Sequence, residues 1–154
     1  MSDANRVRVT GVAAEVARAE AQAVLAMVRD ERRRGRLADV VASVDDGEVE
    51  GADADALGEL LELGLASGRV RAVYGPEGEQ AALALFRRLP LGRELSESAL
   101  ELNKALGALE GRMIETISVS SVGPAEYAVT ISTEVFEVVL RLGRAGARLA
   151  TIGA

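Results

Sequence analysis

The stretch YAVTISTEVFEVVLRL, Tyr127 to Leu142, decides how this chain folds, because its apolar residues change phase half-way along. In the first half they stand at odd positions, Tyr127, Val129 and Ile131; in the second they stand at even ones, Phe136, Val138, Leu140 and Leu142. Side chains alternate between the two faces of a strand, so one continuous strand would throw the two sets onto opposite faces. A reversal of the chain between them restores a single apolar face. The phase shift predicts a two-residue turn at Thr133-Glu134 that pairs 131 with 136, 129 with 138 and 127 with 140. The turn chemistry adds nothing, since Thr-Glu lacks the positive-φ residues that such hairpins favour.

Working outward, the loop Gly143–Gly146 pairs Leu140 with Leu149. The loop SVGPA (121–125) pairs Val119 with Tyr127 and Ile117 with Val129. The result is a four-stranded antiparallel meander over 112–152 with one face covered by helices.

Those helices fill the chain before it. RVRVT (6–10) alternates and reads as a short strand. From Val12 to Arg29, the residues Val12, Val16, Ala19, Ala23 and Met27 recur at helical spacing opposite a stripe of Glu15, Arg18, Gln22 and Arg29. Leu37, Val40, Val41 and Val44 continue that spacing, either in the same helix or in a second one broken at Gly35. Leu57, Leu60, Leu61 and Leu65 mark the next helix, with Asp53 or Asp55 as its cap and Gly68 as its stop. Ala82, Leu85, Phe86 and Leu89 mark another, ended by Pro90. Leu95, Ala99, Leu102, Leu106 and Leu109 form a heptad-like seam, best read as one amphipathic helix lying on the sheet. The fold class is α+β: four to five helices, then the meander packed on helices.

Charge suggests how these parts are joined. Residues 45–66 carry eight anions and no cation, whereas 1–44 hold eight cations and six anions and the remainder balances. The acidic, glycine-containing stretch 45–55 reads as a linker. It separates an N-terminal helical arm (1–44), available to a second copy of the chain, from an α+β domain (56–154).

Composition narrows the chemistry. There is no cysteine and no histidine, so disulfides, thiolate nucleophiles, imidazole bases and His- or Cys-ligated metals are excluded. No cofactor is implied. The polar start MSDANRVR lacks a signal-peptide core, and no apolar run approaches the roughly 18 residues of a membrane span. Seventeen arginines against one lysine, with abundant Ala and Gly, match the codon bias of a GC-rich bacterial genome. The expected location is the bacterial cytoplasm.

Four motifs invite function. VYGPEGEQAAL (73–83) resembles a phosphate loop, with a strand-like run (Arg69–Tyr74) giving way to a helix at Gly75. However, Pro76 removes a donor, and Glu77 and Glu79 stand where a phosphate would sit. The residues suit a helix start better. DDGEVEGADAD (45–55) suggests calcium, but position twelve of the two possible frames is Leu57 or Gly64 rather than glutamate. The basic run Arg29, Arg32, Arg33, Arg34 and Arg36 is a candidate phosphate-backbone surface, without interleaved aromatics and beside an acidic segment. Glu115 falls in the core-facing register of the first strand and, with Tyr127, would line any pocket between helices and sheet.

With these motifs mostly explained as structure, the leading expectation is a non-catalytic protein-interaction or assembly module that self-associates. The alternatives are a nucleic-acid-binding regulator using Arg29–Arg36, and a small-molecule-binding protein or carboxylate-based enzyme with its pocket at Glu115 and Tyr127.

Overall fold

The computed structural model describes residues 6–143 and 146–153. The elements run β1 (Val7–Arg8), α1 (Gly11–Met27), α2 (Glu31–Asp45), β2 (Glu48–Val49), α3 (Gly51–Ala66), α4 (Arg69–Phe86) and α5 (Pro90–Gly107). Strands β3 (Ile114–Gly123), β4 (Glu126–Thr133), β5 (Glu137–Gly143) and β6 (Gly146–Gly153) follow. The fold is α+β, with five helices among the described residues and then a four-stranded antiparallel sheet. The chain divides into two compact units, one up to Arg93 and one from Glu94.

In the first unit the expected strand at 6–10 is present as β1, and its partner lies in the segment expected to be a linker. Val7 pairs with Val49 and Arg8 with Glu48, and the Val9 amide donates to the Gly47 carbonyl at 2.8 Å. Residues 45–55 therefore hold β2 and the first turn of α3. Alternation explains this: Glu48-Val49-Glu50 buries Val49 completely and turns both acids outward, where Arg6 meets them at 3.6 and 3.2 Å. Neither Asp53 nor Asp55 caps α3. Its N-cap is Glu50, and Asp53 instead accepts a hydrogen bond from the Ser43 hydroxyl.

The break between the first two helices comes at Val28–Asp30 and not at Gly35. The Asp30 carboxylate accepts the Arg33 amide at 2.8 Å, a side-chain cap that starts α2, while Gly35 sits inside that helix. The face of α1 also differs from the expected one. Val16, Ala17, Glu20 and Ala21 are buried, whereas Val12 and Met27 are exposed. α1 packs on α2, α3 and α4 of its own unit, so it is not an arm free to dock elsewhere.

Arg69–Tyr74, expected to be strand-like, is the first turn and a half of α4. The helix breaks at Gly75 (φ 70°, ψ −175°) and restarts at Pro76, so proline does open a helix there. Gly68, at φ 73°, supplies the left-handed residue that lets the chain turn directly from α3 into this segment.

The second unit holds the meander, ordered β3-β4-β5-β6 as expected. Leu140 pairs with Leu149, also as expected, although Arg144 and Ala145 of that hairpin lie outside the described residues. The other two registers differ by two. Ile131 pairs with Val138 and Val129 with Leu140, and Ile117 pairs with Ile131 and Val119 with Val129. The central turn falls one residue later than predicted, at Glu134-Val135. The Thr133 hydroxyl sets it by accepting the Val135 and Phe136 amides and donating to the Phe136 carbonyl. A shift of two preserves which residues share a face, so the apolar face survives the correction. Leu102 of α5 packs on Val138 and Leu140, with Leu106, Leu109, Val129, Phe136 and Ala147 around them. Among the described residues, no helix is long and apolar enough to cross a membrane.

Candidate functional site

β3 runs ten residues along one margin of the sheet and, among the described residues, is hydrogen-bonded on one side only, to β4. Residues 114–122 are exposed throughout. Directly paired residues share a face, so Ile117 and Val119 lie on the apolar side with Ile131, Val129, Val138 and Leu140. α5 covers the centre of that side but not this margin. Ile117 is 62% and Val119 64% exposed, and Tyr127, Leu142, Leu149 and Ile152 are also partly uncovered. The opposite side of the same margin carries hydroxyls: Thr116, Ser118 and Ser120, backed by Thr130 and Ser132.

The two sheet edges are protected unequally. β6 carries Arg148 and a register slip at Ala150, both features that discourage strand addition. On β3 the lone charge is Glu115, and slips flank a regular ladder from Thr116 to Ser121. Within that ladder there is no charge and no proline. A row of unpaired backbone amides and carbonyls beside exposed Ile117 and Val119 can add a strand. The backbone would supply hydrogen bonds and the two side chains apolar contact.

Glu115 and Tyr127 are not brought together. Glu115 falls in the slip between Ile114 and Thr116, beside the Ser132–Thr133 end of β4, and is exposed. Tyr127 is half exposed at the other end of β4, opposite Ser121 and Leu142. Five to six strand residues separate the two positions, roughly 17–20 Å at the usual rise. The slip takes Glu115 out of the alternation, and the whole uncovered margin from 114 to 122, in-register Ile117 and Val119 included, is exposed with it.

The basic run is divided as well. At about 100° per residue, Arg33 lies in line with the buried Leu37, Val40 and Val44 of α2, and Arg36 flanks that line. These two line a cleft of about 330 Å³ with Val24, Leu37 and Leu60, the exposed Leu63 at its rim, and Asp55 and Glu59 of α3 facing them. Arg29 lies in the connection before α2, Arg32 lies next to Arg36 one turn earlier on the helix, and Arg34 points to the other side of the line. All five are exposed, and two of them, Arg33 and Arg36, share the cleft with the acids of α3.

Compared with known proteins, the chain matches no family model, no curated protein and no solved structure.

One polar cluster was not anticipated by sequence reasoning. Glu20 of α1 is 2% exposed, and it is held by the Arg69 guanidinium on Oε2 and by the Tyr74 hydroxyl, which donates to Oε1 at 3.2 Å. Gly64 leaves the necessary room: a Cβ there would lie 2.8 Å from Glu20 Oε2 and 2.8 Å from Val70 Cγ2. Burial raises the Tyr74 pKa above its usual 10.0, and the negative charge and hydrogen bond of Glu20 push the same way against the opposing charge of Arg69. The carboxylate is matched by a cation and a neutral donor, so the cluster ties α1 to α4. The signal that could have found it is a glutamate enclosed by Ala17, Ala19 and Ala21, with an arginine directly after Gly68. No group of residues able to hold a metal occurs among the described residues.

Proposed function

We propose that this protein is a non-catalytic assembly module that associates with itself through its C-terminal sheet unit. The observation that carries the reading is the open β3 edge, uncharged between Thr116 and Ser121 and bordered by the exposed Ile117 and Val119. Edges of this kind are normally blunted, as β6 is; one left open is an interaction surface. The absence of histidine and cysteine and the internal pairing of the buried Glu20 also favour a non-catalytic role. The arginine-rich, cysteine-free composition supports placing the protein in a bacterial cytoplasm.

The test is the mass of the full chain in solution across a concentration series, by light scattering or sedimentation. An oligomer is expected, and Ile117→Lys or Val119→Lys should shift it towards monomer without unfolding, because both side chains are already mostly exposed. A monomer at every accessible concentration would remove the reading.

A second reading, binding of a small amphiphilic ligand, is supported by the cleft between α2 and α3, where an apolar floor is flanked by Arg33 and Arg36. The chain has no tryptophan, so Leu63→Trp would place a single, selectively excitable tryptophan at the rim of that cleft. Titration with an anilinonaphthalene sulfonate should quench it. An unchanged spectrum would remove this second reading.

A further inference from the structure

We infer that the partner at the β3 edge is a second copy of the same strand, paired antiparallel about a two-fold axis through Ser118. This rests on the self-association proposed above and adds its geometry.

A two-fold axis perpendicular to the sheet joins two edges antiparallel and keeps each side chain on its own face. Residues facing one another must then share parity, which leaves few registers within the regular ladder Thr116–Ser121. An axis at Ile117 sets Val119 opposite Glu115 of the partner subunit, an apolar side chain against a charge. An axis at Val119 sets Ile117 opposite Ser121 of the partner subunit. Only the axis at Ser118 sets Ile117 opposite Val119 of the partner subunit and, by symmetry, repeats that contact. The same axis places Thr116 opposite Ser120 of the partner subunit on the hydroxyl side. It also keeps the two Glu115 carboxylates apart, at opposite ends of the ladder. Aliphatic and hydroxyl cross-strand pairs are both favourable, and this register satisfies every position from 116 to 120. The slips at Glu115 and Val122 interrupt the regular ladder at both ends, which limits the paired segment to this central part.

The absence of cysteine makes the register directly measurable. Residues directly opposite in an antiparallel pair have Cα atoms about 4.5–5.5 Å apart, within disulfide range. Residues that meet their own counterpart four positions out of register are about 14 Å apart, beyond it. Under mild oxidation the full chain carrying Ser118→Cys should convert to a disulfide-linked dimer. Thr116→Cys and Ser120→Cys should each remain unlinked alone, and a mixture of these two should yield the linked heterodimer.

The outcomes separate the two layers of the argument. If the protein is an oligomer by mass but Ser118→Cys does not link, or Thr116→Cys links to itself, this register is wrong while self-association stands. If the protein is monomeric and none of the variants links, both fail together.

Discussion

Glu20 of α1 and Tyr74 of α4 are 54 residues apart in sequence and joined by a hydrogen bond of 3.2 Å at a carboxylate that is 2% exposed. The Arg69 guanidinium completes the cluster, and the Arg69 Nε is itself buried without a partner. Glu20→Ala would take the paired carboxylate from the guanidinium and open a void beside Gly64 and Val70. It should lower the stability of the chain by about 2–4 kcal/mol. Tyr74→Phe, which removes only a donor, should lower it by about 1 kcal/mol. Urea unfolding of the two variants checks both; equal and negligible losses would show that the cluster is not holding α1 to α4.

The raised pKa of Tyr74 gives a pH signature. A group whose folded pKa exceeds its unfolded value binds its proton more tightly when folded. Its contribution is fully present below the unfolded value of 10.0 and disappears as pH rises through the folded one. Ionising Tyr74 would place a phenolate against the Glu20 carboxylate, with Arg69 the single cation at the cluster. Wild type should therefore lose stability above about pH 10 more steeply than Tyr74→Phe does. Melting temperatures taken between neutral pH and pH 11 would show the difference; parallel curves would contradict it.

Gly64 should be unable to accept a side chain. The methyl group of Gly64→Ala would lie 2.8 Å from both a Glu20 carboxylate oxygen and a Val70 methyl, and Val70 is completely buried. Overpacking here should destabilise by about 1–3 kcal/mol, despite the higher helix propensity of alanine. Gly107, also helical but with open space around it, is the control: Gly107→Ala should be neutral or stabilising by chemical denaturation.

The sheet was legible because strand alternation is a parity rule. A turn displaced by one residue moves the register by two, and the apolar face inferred from Tyr127–Leu142 stays the same. The helices of the first unit resisted for a physical reason. α1 carries alanine on several sides, so Val12-Val16-Ala19-Ala23-Met27 looks as apolar as the face that is buried, and Glu20 argued against the true one. Its cation lies 49 residues away on α4, a distance no local pattern reaches. The acidic stretch 45–55 was misread because charge masked a two-residue strand in which Val49 alone is buried. The strand-like Arg69–Tyr74 is helical because that geometry carries Arg69 to Glu20 and Val70 to Gly64.

Thr133 should control the central hairpin. It is 8% exposed, and its hydroxyl accepts from Phe136 at 3.1 Å and donates to the Phe136 carbonyl at 2.9 Å. Thr133→Ala leaves two turn amides without that acceptor and should cost about 1–2 kcal/mol, while Thr133→Ser should retain most of it. Equilibrium unfolding of the pair separates the hydroxyl from the β-branched shape; equal losses would assign the effect to the methyl.

The basic run of α2 should not bind nucleic acid. Phosphate recognition needs several uncompensated cations on one surface, and here Arg33 and Arg36 face Asp55 and Glu59 across a cleft. Fluorescence anisotropy with a nonspecific duplex and a single strand should show no binding at micromolar protein, even in about 50 mM salt where phosphate contacts are strongest. Binding at that salt which weakens steeply by about 200 mM and is abolished by Arg32→Glu with Arg34→Glu would reverse this conclusion. It would return the helical unit to the role of a nucleic-acid surface, because the arginines outside the cleft would then be the ones contacting phosphate.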